Sequence, residues 1–126
     1  DFVYYLSINK FNEEAWYFSS IAFNESGNLQ EALKSANSAI AINNNNHKSL
    51  LQRAKVLYNM KSYSLAAKDI SMSLDLFPES GESYLLSGKI KLELRDYDNA
   101  CKDLEKALRL KQMEASDLIQ LNCGGK

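Results

Sequence analysis

At 126 residues the chain has the size of one domain. Its 45% apolar and 25% charged residues are ordinary for a packed fold, which excludes a disordered or linker-like chain. Fifteen Lys and Arg against sixteen Asp and Glu give no electrostatic footprint for nucleic acid or an anionic membrane. His47 stands alone, which removes most His-dependent catalysis and multi-His metal sites.

Self-similarity organises the chain. Ala32, Ala66 and Ala100 are spaced 34 apart, and Ser20, Ala54 and Gly88 repeat the interval. So do Ala39, Ser73 and Ala107, then Ile40, Leu74 and Leu108, then Ile42, Leu76 and Leu110. In chain order, residues 1–12 come first: Leu6 and Ile8 lie 34 before Ile40 and Ile42, so they read as the trailing second helix of an earlier repeat. Three full repeats follow, 13–46, 47–80 and 81–114. Each holds two helical patterns, as Tyr84, Leu85, Gly88, Leu92 and then Ala100, Leu104, Ala107, Leu108 show in the third. Within a repeat the turn is Ser26-Gly27-Asn28, Lys61-Ser62 or Arg95-Asp96; between repeats it is the run Asn43 to Asn46, or Pro78-Glu79-Ser80. Pro78 ends a helix, and Asn46 and Ser80 suit the N-cap of the next. Residues 115–126 add Ala115, Leu118, Ile119 and Leu121 at helical spacing, a capping helix over about 114–122 and a tail.

The fold expected is all-α, a right-handed superhelix of antiparallel helix pairs. Small residues mark where two helices cross closely: Ser20 should face Ala32, Ala54 face Ala66, and Gly88 face Ala100. One repeat cannot bury its apolar face alone, so the units stack.

These 34-residue helix–turn–helix units resemble the tetratricopeptide repeat. Trp16, Gly88, Tyr63, Tyr97 and Pro78 stand where that family places its Trp, Gly, Tyr and Pro. Asn44 and Gln112 replace the terminal Pro in the other repeats. The resemblance implies that first helices line a concave face. Carried over one by one, the concave positions are Glu14, Tyr17, Ile21 and Asn24; then Lys48, Leu51, Lys55 and Tyr58; then Glu82, Leu85, Lys89 and Leu92. The family's charged clamp for a C-terminal carboxylate uses Lys, Asn and Arg. Tyr17 and Ile21 occupy its first two positions here, so binding of that type is not expected. An apolar row, Tyr17-Leu51-Leu85, beside Lys48, Lys55 and Lys89 points to a partner with apolar anchors and acidic residues.

Nothing in the chain assembles catalytic chemistry. His47 follows four asparagines and reads as a solvated residue, Gly124-Gly125 is not a phosphate loop, and neither cysteine has zinc-site spacing. No cofactor and no metal is expected. A hairpin turning near Gln112 sets Cys101 and Cys123 at equal distances from the turn, hence at one height on adjacent helices. The stretch Ala100-Cys101-Lys102-Asp103 with a terminal Cys also resembles some bacterial repeat proteins. A disulfide, which would imply an oxidising compartment, and two buried thiols both remain open.

The expected function is therefore non-catalytic: a protein–protein interaction module taking a protein or peptide in the concave groove, with no nucleic acid and no membrane insertion. The alternative is a structural spacer or self-association segment of a longer repeat protein. Exposed Phe2, Val3 and Leu6 at the N-terminal edge would then pair the chain with a second copy.

Overall fold

A computed structural model describes the backbone of residues 2–124 and the side chains of residues 10–124. Among them are seven helices and no strand: α1 (Phe2–Glu25), α2 (Leu29–Ile42), α3 (His47–Asn59), α4 (Tyr63–Leu76), α5 (Gly81–Glu93), α6 (Tyr97–Arg109) and α7 (Glu114–Cys123). The pairs α1/α2, α3/α4 and α5/α6 form hairpins, and each stacks on the next through α2 against α3 and α4 against α5. The architecture is an all-α helical solenoid.

Small residues do set the crossings. Ser20, Ala32, Ala54, Ala66 and Ala100 are fully buried. The Ser20 hydroxyl donates to the Ala32 carbonyl oxygen at 2.9 Å. A Cβ on Gly88 would lie 2.6 Å from Leu104 Cδ2 and 3.3 Å from the Ala100 carbonyl oxygen, so α5 and α6 approach as closely as a glycine allows. Asn46 and Ser80 act as N-caps: their side chains accept from the Lys48 and Ser83 backbone N–H groups.

The turns inside repeats share one conformation. Gly27, Lys61 and Arg95, again 34 apart, have φ of 85°, 65° and 63°. After each, the next N–H donates to the carbonyl five residues back: Asn28 to Phe23, Ser62 to Leu57, Asp96 to Lys91. This is the Schellman ending, with a left-handed residue after the helix. Lys111 (φ 73°) and the Gln112-to-Ala107 bond repeat it between α6 and α7, which folds α7 back on α6. Leu104, Ala107 and Leu108 then enclose Ala115, Leu118 and Ile119. Cys101 and Cys123 are joined across this hairpin, with Cα atoms 5.9 Å apart and sulfurs 2.01 Å apart.

The N-terminal region departs from the sequence reading. No break separates residues 2–12 from the first repeat: α1 runs without interruption from Phe2 to Glu25. Lys10-Phe11-Asn12-Glu13 has neither the asparagine run of 43–46 nor the proline of 77–80, so nothing there stops the helical ladder. The side chains of Phe2, Val3 and Leu6 lie outside the described residues.

Candidate functional site

The first helices α1, α3 and α5 line two adjoining cavities. One, of 550 Å³, is bounded by Tyr17 and Phe18 of α1, Lys48, Leu51 and Lys55 of α3, and Phe77 and Glu79 before α5. The other, of 380 Å³, is bounded by Asn24, Lys55, Tyr58, Asn59, Leu85, Lys89 and Glu114. Lys55, Glu82 and Gln112 border both, so the two form one groove across the three helices.

Helical register explains the lining. Lys48, Leu51, Lys55 and Tyr58 recur at three- and four-residue steps and share one face of α3. A ladder of polar contacts fixes the helices beside the groove. Asn46 Nδ2 donates to Glu13 Oε2 at 2.8 Å, Gln52 Nε2 to Ser20 Oγ at 3.3 Å, and Asn59 Nδ2 to Asn24 Oδ1 at 2.9 Å.

Of the residues expected on this face, Tyr17, Lys48, Leu51, Lys55, Tyr58, Leu85 and Lys89 line the groove, as do Asn24 and Glu82. Glu14, Ile21 and Leu92 do not. Glu14 is exposed and lines neither cavity. Ile21 is half-buried outside both cavities. Leu92 packs at the C-terminal end of the array against the cluster around Leu104 and Ala115. Leu51 is 6% exposed and belongs to the core with Leu57, Ile70 and Leu86, so it presents an edge rather than a free anchor.

The charge of the groove also differs from expectation. Lys55 pairs with Glu82 at 3.3 Å and Lys89 with Glu114 at 2.7 Å. Glu79 adds a further acid to the cavity that Lys48 lines. The lysines therefore make no positive floor, and a purely acidic partner loses its electrostatic advantage. Both pairs are partly solvated, so each contributes about 0–1 kcal/mol and opens readily. Tyr17 and Tyr58 are held above their ordinary pKa of 10.0, first by burial and then by nearby carboxylates, Glu82 for Tyr17 and Glu93 for Tyr58. Both are neutral phenols at physiological pH, offering an apolar ring and one polar tip.

Sequence reasoning missed Phe18, Phe77, Asn59, Gln112 and Glu114. Gln112 and Glu114 reach the groove only because α7 folds back through the Lys111 turn. The spacing predicts the hairpin near Gln112 but not that these two side chains reach the groove. His47 is half-buried, 4.7 Å from the Phe77 ring centroid, rather than fully solvated. A third cavity, of 400 Å³, lies on the other side of the stack between Leu33, Leu57, Leu65 and Met72. Among the described residues no three His, Cys, Asp or Glu are grouped to hold a metal ion, and no helix is long and apolar enough to cross a membrane.

Residues 81–112 match the tetratricopeptide repeat family. A comparison with curated proteins gave no match. Solved structures are similar over most of the chain. The first TPR of Spaghetti (RPAP3), bound to the HSP90 peptide SRMEEVD, shares 19% identity at a TM-score of 0.83, covering 86% of this chain and 88% of that one. The Arabidopsis OM64 TPR domain shares 19% at 0.84, covering 89% and 93%. The Yersinia enterocolitica type III secretion translocator chaperone SycD shares 15% at 0.80, covering 86% and 81%. One repeat, residues 81–112, thus matches the tetratricopeptide repeat family, and the stack as a whole has the fold of such domains.

Proposed function

We propose that this chain is a non-catalytic interaction module that takes a peptide, or an extended segment of a partner's surface, in the groove lined by α1, α3 and α5. One observation carries the reading: a single continuous groove with an aromatic and aliphatic lining (Tyr17, Phe18, Tyr58, Leu85) and charges of both signs along it. Similar folds bind peptides, as the first TPR of Spaghetti (RPAP3) binds the HSP90 peptide SRMEEVD. The acidic Glu-Glu-Val-Asp end of that peptide suits this groove poorly, because Glu79, Glu82 and Glu114 would face it. The partner that fits has apolar anchors for the tyrosines and Leu85, flanked by acidic groups that can replace Glu82 and Glu114 on the lysines and by basic groups that can take up those glutamates. Anchors supply most of the affinity and charges set register. The helices are already fixed by the Asn59–Asn24 and Gln52–Ser20 contacts, so little ordering entropy opposes binding.

The test is selection of a random peptide library on the intact chain, followed by challenge with variants. Selected peptides should be enriched in apolar anchors, and Tyr58→Ala with Lys55→Glu should abolish their binding while leaving helicity unchanged. Peptides that bind that double variant as well as the parent would refute groove binding.

A further inference from the structure

The repeats allow one face of the molecule to be read from its own copies. On α3 the positions Ser49, Gln52 and Val56, and on α5 Ser83, Leu86 and Ile90, are all 7% exposed or less. They are covered by the preceding repeat, chiefly by α2 and α4. The residues 34 earlier on α1 are Ala15, Phe18 and Ala22. All are apolar, yet Phe18 is 62% exposed and both alanines are exposed. Phe11, one turn before Ala15, is 70% exposed. The outer face of α1 thus has the register of a helix–helix interface, small–large–small, with no helix upon it among the described residues.

The covering helices state what fits there. Each carries aliphatic or similarly sized apolar side chains at i, i+3 and i+7: Leu33, Ala36 and Ile40 on α2; Ala67, Ile70 and Leu74 on α4; Cys101, Leu104 and Leu108 on α6. Neither obvious source within this chain can supply that stripe. Residues 2–12 continue α1 along its own axis and cannot fold back on it as α2 does on α3. A second copy has its three stripes occupied by α3, α5 and α7, and Cys123 ties α7 in place over α6.

We propose that the Ala15–Phe18–Ala22 face of α1 is a docking site for an amphipathic helix of a partner protein, carrying aliphatic residues at i, i+3 and i+7 and lying as α4 lies on α5. The site is separate from the groove, meeting it only at Phe18. Apolar side chains left exposed at the register of a helix–helix contact mark an interaction face, and helix-in-groove recognition with i, i+3, i+7 anchors is a recurring mode.

A fluorescent, hydrocarbon-stapled peptide with the sequence of residues 63–76 serves as the probe, titrated against the full chain by anisotropy. Saturable binding at sub-millimolar concentration is expected. Ala15→Glu and Ala22→Glu should each weaken it roughly tenfold or more by burying a charge in the contact, while Tyr58→Ala in the groove leaves it unchanged. Both alanines are exposed, so helicity by circular dichroism should hold. Ala22→Gln provides a neutral control and should weaken binding less than Ala22→Glu. No saturation, equal binding to Ala22→Glu, or loss only in Tyr58→Ala would overturn the proposal. So would a dimer in sedimentation that Ala22→Glu dissociates, because the face would then be taken by a second copy.

Discussion

Arg53 offers a sharp test of how this stack is held. Its guanidinium forks onto Asp69, Nε to Oδ2 at 2.8 Å and Nη2 to Oδ1 at 2.9 Å, while Nη1 donates to Asn37 Oδ1 at 3.1 Å. One side chain thus ties α2, α3 and α4 together, and the bond to Asp69 holds the Arg53 pKa above its ordinary value. The two partners are not equally buried: the Arg53 side chain is 23% exposed and that of Asp69 5%. Removing either leaves the other charge behind, but at unequal cost. Arg53→Met strands a carboxylate in the interior, a loss of about 3–5 kcal/mol for an orphaned buried charge. Asp69→Leu strands a guanidinium that reaches water and keeps Asn37, so about 1–2 kcal/mol is expected, nearer to an ordinary lost hydrogen bond to a charged group. The double variant Arg53→Met/Asp69→Leu, with no charge left over, should return to within about 1 kcal/mol of the parent. Urea unfolding followed by circular dichroism measures all four, with m unchanged if the transition stays two-state. Equal single-variant costs that add in the double variant would refute the reasoning, because the pair would then be an ordinary solvated ion pair.

Gly88→Val should destabilise by about 2–3 kcal/mol: its Cβ meets Leu104 at 2.6 Å, and overpacking outweighs the gain in helix propensity. Chemical denaturation checks it, and an unchanged midpoint would mean that α5 can slide off α6. Arg95→Gly should stabilise by roughly 1 kcal/mol, since the backbone already holds φ at 63° where glycine is unstrained; thermal melting reads this. Cys123→Ser, compared with the oxidised parent, should lose about 3 kcal/mol by opening a loop of 22 residues, and dithiothreitol should have no effect on the variant. Tyr17 and Tyr58 are raised above 10.0 in the fold. The unfolded chain therefore releases their protons first as pH rises, so this contribution is complete below about pH 9 and is lost from about pH 10 upward. Denaturation midpoints across that range should fall more steeply for the parent than for Tyr17→Phe/Tyr58→Phe.

What could be read from the chain was what repeats. The small positions Ser20, Ala54 and Gly88 against Ala32, Ala66 and Ala100 announced the close crossings, because only small side chains admit a neighbouring helix. Asn46 and Ser80 announced helix starts by capping chemistry. Features that occur once were legible only in part: the hairpin near Gln112 and the matching heights of Cys101 and Cys123 followed from spacing, but the side chains that the turn delivers did not. No residue type at 111 reveals a left-handed turn, as Lys111 has no glycine to mark it, so the reach of Gln112 and Glu114 into the groove was hidden. Likewise, Lys55 and Lys89 looked like free charges until the fold brought Glu82 and Glu114 beside them. Leu51 shows the limit of face assignment: its register places it on the groove side, yet neighbouring helices enclose all but 6% of it. Continuity of α1 through residues 2–12 was missed because the 34-residue period matched Leu6 and Ile8 there, and a period does not show whether a turn intervenes.

The central claim is that a partner segment lies in the groove of α1, α3 and α5. The most direct measurement is an NMR titration of the isotope-labelled chain with a peptide selected on it. Shift changes should concentrate at Tyr17, Lys55, Tyr58, Leu85 and Lys89. Changes concentrated instead at Leu33, Leu65 and Met72, around the cavity on the opposite side, would contradict it.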